Sequence, residues 1–321
     1  MARTLIGPSH GPEFALRAGC GGAEAGASSA SPFGLIGAAC GAVRYRFFLL
    51  AGALPYLLGA AVARRSVGEL DWSLLLIGLM GVLFVGVGIE GMNEYFDSRI
   101  GGDRVFASPE RAQVSWHLPV GLGGFALAGV AGIYLAFLRG WPVVYFALFG
   151  AAAALSYLMP PVHLSYRGLG ELVIAISYGP GLVLGAFWLQ TRRLSPAALL
   201  ASALPALLIL ALALANEVPD YRGDSLVGKR NIVVRMGRRG ATRLYLLATA
   251  MCFALIGAGV VCGWFPPLLG LAFLFAPLAL HSAVLALREC EKPARFIQVI
   301  RRAILLYVLV DAVAIFSYLV R

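Results

Sequence analysis

Asn93-Glu94-Tyr95-Phe96-Asp97-Ser98-Arg99-Ile100-Gly101-Gly102-Asp103 closes one long apolar run of the chain, and Asn216-Glu217-Val218-Pro219-Asp220-Tyr221-Arg222-Gly223-Asp224 closes another. Both stretches open on Asn-Glu and place an Asp four residues after the Asn. On a helix that spacing stacks the amide and the carboxylate one turn apart on a single face. Two copies of one device, each at the end of an apolar run, read as an internal repeat within a membrane bundle. Together with Glu90 and Glu110 these stretches hold eight of the 16 acids in the chain.

Outward from the motifs the sequence is apolar. Of its 321 residues, 60% are hydrophobic and 13% charged, against about 45–50% and about 25% in an ordinary soluble domain. That balance excludes a soluble globular protein and a disordered chain, and unbroken apolar runs exclude the alternating strands of an outer-membrane barrel. A helix crosses a bilayer with roughly 20 apolar residues. Such runs predict spans at 47–63, 73–92, 118–138, 142–159, 172–190, 196–215, 244–264, 266–287 and 303–320. The expected fold class is therefore all-α, a polytopic bundle of nine transmembrane helices over 44–321 with two Asp-rich motif loops on the cytoplasmic face. Residues 1–43, rich in Gly, Ala and Ser, read as a flexible cytosolic arm without the compact apolar stretch of a signal peptide. Arg139-Gly140-Trp141-Pro142 and Gly263-Trp264-Phe265-Pro266-Pro267 mark tight hairpins.

The charge distribution orients this layout. Twenty Lys and Arg fall in the amino-terminal arm and the loops on its side, and six fall on the other side. The positive-inside bias then places the amino terminus and both motif loops in the cytoplasm and Arg321 opposite. The net charge of +10 is thus a matter of topology, and no nucleic-acid partner is expected; the partner it implies is the lipid bilayer. Cys20, Cys40, Cys252, Cys262 and Cys290 lie far apart with no C-x-x-C pair, which makes them packing residues. Asp311 and His281, ionisable groups within the last two spans, are expected to be internally hydrogen-bonded.

An acid near the bilayer centre costs about 2.5–3.5 kcal/mol, so eight gathered at one face need a cation. Carboxylate and amide oxygens are hard ligands, and Mg²⁺ commonly bridges one or two carboxylates to a substrate phosphate. The His and Cys that zinc favours are missing from both motifs. After the second motif, Gly228-Lys229-Arg230-Asn231 supplies basic donors for phosphate oxygens.

On these residues the chain resembles the UbiA superfamily of intramembrane prenyltransferases, and within it the 1,4-dihydroxy-2-naphthoate branch of menaquinone synthesis. The resemblance is carried by Asn93 to Asp97 with Asp103 ten residues after the Asn, by Asp220 to Asp224 followed by Gly228-Lys229-Arg230, and by Val234-Arg235-Met236-Gly237. Tyr157-Leu158-Met159-Pro160-Pro161, Leu164 to Glu171 and Tyr178-Gly179-Pro180 are similar to the family's span 4–5 region. It implies transfer of a prenyl group from a polyprenyl diphosphate to an aromatic acceptor, with two Mg²⁺. Asn93, Asp97 and Asp103 would hold one ion and Asp220 and Asp224 the other, with Asn216 and Glu94 in support. Lys229, Arg230 and Arg99 would cradle the diphosphate, and Glu171 would serve acceptor binding. Tyr157 and Tyr166, with Tyr95, Phe96 and Tyr178, would face the allylic cation. Two departures stand out: Glu94 occupies a position where most relatives have Asp, and Arg46-Phe47 replaces the family's first-span Arg-Pro. Hydroxybenzoate, homogentisate, a porphyrin alcohol, a sugar or glycerol phosphate are alternative acceptors, and a duplicated-repeat transporter is the alternative class.

Overall fold

The computed structural model describes residues 51–100 and 116–320, with side chains described up to Phe96 in the first of these segments. All of them belong to the unit Val43–Arg321. Among the described residues every regular element is helical. They are α1 (Ala53–Val67), α2 (Trp72–Ile100), α3 (His117–Arg139), α4 (Pro142–Leu158), α5 (Gly170–Thr191), α6 (Pro196–Leu226), α7 (Ile232–Val261), α8 (Ala276–Glu289) and α9 (Pro293–Leu319). Among the described residues, six stretches are long and apolar enough to cross a membrane: Trp72–Phe96, α3, α5, α6, α7 and Pro267–Glu289. α4 is apolar but shorter.

Local sequence explains the helix boundaries. Pro196 opens α6 in the first turn, where its missing N–H costs nothing, and Ser195 Oγ caps that turn by accepting from Ala197 N at 3.2 Å. Asn231 Oδ1 caps α7 through Val234 N at 2.8 Å. Gly140 ends α3 and Pro142 starts α4, the expected hairpin.

Four boundaries differ from expectation. α7 starts at Ile232 rather than near 244, and Gly237, with φ 73° and ψ 163°, breaks it after its first turn. α9 starts at Pro293 rather than 303. In both, Arg residues interrupt the apolar signal while the helix continues into the polar region with an amphipathic face. A π-helical turn, Ser177–Gly181, interrupts α5 around Pro180, and α8 is preceded by a 3₁₀ segment, Pro267–Phe275. The second motif is a further correction: it is not a loop but lies within the last three turns of α6, with Pro219 inside the helix.

α6 is the most enclosed helix. Leu204, Leu208, Ile209, Leu212, Leu214 and Val218 on it are buried against α1, α5, α7 and α9. α2 packs chiefly on α3, and the approach is close enough to require glycine. A Cβ at Gly91 would lie 2.7 Å from Gly121 N and 2.9 Å from His117 O. Small residues of this kind let backbones meet in a bilayer, where dispersion contacts rather than water exclusion hold helices together. This contact fixes the end of α2 that carries the first motif.

Candidate active site

The second motif lies along the end of α6, where Asn216, Asp220 and Asp224 follow one another four residues apart and Glu217 stands beside Asn216 in the chain. The chain then turns through Gly228, at φ 76°, and doubles back. Lys229 returns its Nζ to within 3.1 Å of Asp224 Oδ2, and its backbone N–H donates to the Asp224 carbonyl at 2.9 Å. Asn231, fully buried, donates through Nδ2 to the same Oδ2 at 2.7 Å while its Oδ1 caps α7. Burial works against the Lys229 ammonium, but the Glu217 and Asp224 carboxylates outweigh it and hold its pKa above the ordinary lysine value.

A second segment is stitched to this turn. Arg230 N donates to Tyr166 O at 3.0 Å. Arg235 Nε donates to Arg230 O at 2.8 Å, and its Nη2 to Arg167 O at 2.9 Å. Glu171, 1% exposed, accepts Ile232 N on Oε1 at 2.7 Å. Ser165 Oγ donates to Tyr157 O at 2.8 Å. The Tyr157–Glu171 segment and the turn after α6, read separately in the sequence, thus form one hydrogen-bonded unit. His163 packs its ring on Tyr166 at 3.9 Å, and burial, with Lys229 and Arg167 nearby, lowers its pKa from the ordinary imidazole value.

Among the described residues, Asn216 Oδ1 and Nδ2 have no hydrogen-bond partner, and no donor reaches Glu217 Oε2 or Glu171 Oε2. Orphaned buried acceptors are costly, and the Asn216, Glu217 and Glu171 oxygens are hard ligands, so their chemistry fits a cation such as Mg²⁺. Among the described residues, no three His, Cys, Asp or Glu already converge at metal-holding spacing.

Of the first motif, Asn93 and Glu94 lie half-buried near the end of α2. Glu94 and Glu90 line a cavity of about 260 Å³ against Trp116 and His117 of α3. The side chains of Asp97 and Arg99, and all of Asp103 and Glu110, lie outside the described residues, as does the arm 1–43. The Tyr95 and Phe96 rings meet edge to face at 5.4 Å. The Arg230 side chain is exposed; its backbone supplies the contacts above. Sequence reasoning missed Asn231 and Arg235 as site builders. An Asn directly before a helical run is an N-cap signal, whereas its second bond to Asp224 has no local signature.

Asp311 is also a correction. It is fully buried, yet neither carboxylate oxygen has a hydrogen-bond partner among the described residues, so the expected internal pair is not found there. His281, on α8, is exposed. Cys252 and Cys290 are buried free thiols and Cys262 an exposed one, consistent with packing roles.

Residues 52–305 match the model of the UbiA prenyltransferase family. The chain belongs to that family. It is a prenyltransferase and an integral, multi-pass membrane protein. It is 27% identical over 256 residues to a Bacillus subtilis 1,4-dihydroxy-2-naphthoate octaprenyltransferase, covering 78% of this chain and 82% of the relative. A Mycobacterium tuberculosis protein of the same name is 30% identical over 71% of this chain and 79% of its own. A UbiA homologue from Aeropyrum pernix superposes with a TM-score of 0.56 at 19% identity, covering 83% of this chain and 96% of that one. One from Archaeoglobus fulgidus, bound to GPP and Mg²⁺, superposes at 0.54 with 15% identity, covering 86% and 99%. At these identities the likeness establishes the fold.

Proposed function

We propose that this prenyltransferase moves a polyprenyl group from its diphosphate to 1,4-dihydroxy-2-naphthoate within the membrane, with Mg²⁺ as the cofactor. The observation that carries the reading is the row Asn216, Glu217, Asp220 and Asp224 at the end of α6, with orphaned buried oxygens among them and Lys229 folded back over them. The two related octaprenyltransferases support the acceptor, and the Mg²⁺ and GPP bound by the Archaeoglobus homologue support the donor and metal.

In the reaction the bond between the allylic carbon and the diphosphate oxygen breaks, the diphosphate leaving with the electron pair; an acceptor ring carbon then bonds to the allylic cation and gives up its ring proton to a base. Asn93, Asp97 and Asp103 would hold one Mg²⁺ and Asp220 and Asp224 a second, with Asn216 and Glu94 in support. Bound Mg²⁺ supplies neutralisation of the leaving diphosphate. Lys229, Arg230 and Arg99 bind diphosphate oxygens as cationic donors. Lys229 is already oriented for this by Asp224. Tyr157 and Tyr166 present ring faces to the cation, each worth about 0.5–2 kcal/mol. The Tyr157–Glu171 segment, fastened to the turn after α6, covers the site and excludes water, which would otherwise capture the cation.

The reading includes nine membrane spans, cytoplasmic motif ends, and residues 1–43 as a cytosolic arm. Reporter fusions after Arg104 and Arg230 should read cytoplasmic and one after Arg321 should not. The chemistry is tested by product analysis of purified protein with a panel of labelled prenyl diphosphates and acceptors, with and without Mg²⁺. Transfer to 4-hydroxybenzoate and none to the naphthoate would reverse the acceptor, and full turnover under chelation would remove the metal.

A further inference from the structure

Arg238 lies on α7 directly after the break at Gly237, only 7% exposed, and is not among the residues assigned to substrate or metal. Its Nε donates to Val218 O at 3.3 Å, and its guanidinium carbon sits 5.4 Å from the centre of the Tyr221 ring. Its Nη1 donates to Glu291 O at 3.4 Å and pairs with Glu291 Oε2 at 3.7 Å. Glu291, in the turn between α8 and α9, is held from its other oxygen by Arg239 Nε at 3.4 Å. One guanidinium therefore joins the motif helix to the α8–α9 turn.

The two contacts on α6 flank Asp220, two residues before it and one after. This is the weak point of the helix. Pro219 has no N–H, so the Ala215 carbonyl loses its helical donor just where the motif begins. Rotation of α6 about this point would turn Asp220 and Asp224 relative to Asn216. A planar, forked cation bonded to one carbonyl and stacked on the adjacent ring resists that rotation, which a point charge such as lysine does less well.

The break at Gly237 is what makes the grip two-sided. Residues three apart on an unbroken helix share a face. Arg235 and Arg238 instead reach in different directions, Arg235 to Arg230 O and Arg167 O, Arg238 to α6 and Glu291. A φ of 73° there disfavours any residue with a side chain.

We propose that Arg238 is a positioning residue for the second metal-binding motif: it splints α6 at Pro219 and sets the orientation of Asp220 and Asp224, with Glu291 as its anchor. This rests on the metal reading above and adds a residue and a turn that lie outside both motifs.

The test uses the full-length chain in detergent and two readouts independent of turnover. The first is thermal stabilisation by inorganic diphosphate as Mg²⁺ is titrated; the second is hydrogen exchange of the backbone amides of residues 216–224. Arg238→Met should raise the Mg²⁺ midpoint roughly tenfold or more, as loss of a group that orients metal ligands does, and should speed exchange in 216–224 while leaving 206–214 unchanged. Arg238→Lys should recover part of the shift. Glu291→Gln, at a half-exposed anchor, should move the midpoint about twofold. An unchanged midpoint in folded Arg238→Met overturns the proposal. If that variant does not fold, unchanged midpoints in both Arg238→Lys and Glu291→Gln overturn it instead. A wild-type chain that shows no Mg²⁺ response overturns the metal reading, and the proposal with it. A wild type that responds to Mg²⁺, beside variants that keep its midpoint, removes the proposal alone.

Discussion

Lys229 closes the end of α6 twice, its Nζ 3.1 Å from Asp224 Oδ2 and its backbone N–H on the Asp224 carbonyl at 2.9 Å. The ammonium faces Glu217 as well, so it neutralises two carboxylates that would otherwise repel each other in a part-buried site. Replacing it by Met leaves those carboxylates uncompensated, a change that costs about 3–5 kcal/mol where a pair is buried and less here, because Lys229 keeps 21% side-chain exposure. Lys229→Met is expected to lower the melting temperature and abolish most prenyl transfer, and Lys229→Arg to restore charge but not geometry. Wild-type turnover in folded Lys229→Met would remove Lys229 from the diphosphate cradle.

The same lysine gives a pH expectation. Its pKa is held above the ordinary value, so its contribution to stability is complete below about pH 10.4 and is lost only as the pH rises through the higher folded value. Melting curves of the wild type and Lys229→Met should therefore keep a constant gap from neutral pH to about pH 10 and converge above it.

His163 behaves in the opposite sense. Its pKa is lowered, so the folded state favours the neutral ring. Stability is whole above the ordinary imidazole value of about 6.5 and falls as the pH drops from there through the lower folded value. His163 has φ 42°, and Asn tolerates that left-handed backbone. His163→Asn should flatten the decline of melting temperature between pH 7.5 and 5, and an equal decline in both proteins would show that another group titrates.

Asn216 separates function from stability. Only 8% exposed, with neither polar side-chain atom hydrogen-bonded among the described residues, it makes no bond there that Ala would lose. Removing an unsatisfied buried polar group is close to neutral. Asn216→Ala is expected to melt near the wild type and to lose about tenfold or more in Mg²⁺-supported turnover. A large drop in melting temperature with unchanged turnover per folded molecule would assign Asn216 to packing.

Gly91→Ala tests the seating of the first motif. The new methyl would meet the Gly121 and His117 backbone, which cannot swing aside as a side chain can. Overpacking of this kind costs about 1–3 kcal/mol, and α2 would have to move away from α3. The melting temperature and the Mg²⁺-supported activity should both fall; an unaltered protein would show that the two helices are more loosely packed.

Apolar runs of bilayer length were sufficient to determine an all-helical membrane protein, and the repeated Asn-Glu signals, with no His or Cys in either motif, raise the expectation of a hard-oxygen site at these two stretches. These are properties of transfer to lipid and of ligand chemistry, and each is written in neighbouring residues. The tertiary structure decided which groups meet. It placed Asn231 and Lys229 on one oxygen of Asp224, brought Glu171 to the Ile232 N–H at the start of α7, and left Asp311 buried with no hydrogen-bond partner among the described residues. It also carried α7 and α9 beyond their apolar runs, so that Arg235 and Arg238 reach segments distant in the chain. Composition and periodicity report how each helix partitions into lipid; the pairing of polar groups depends on how helices rotate and stack, which is fixed by contacts such as Gly91 on Gly121 and by breaks such as Gly237, not by any local pattern.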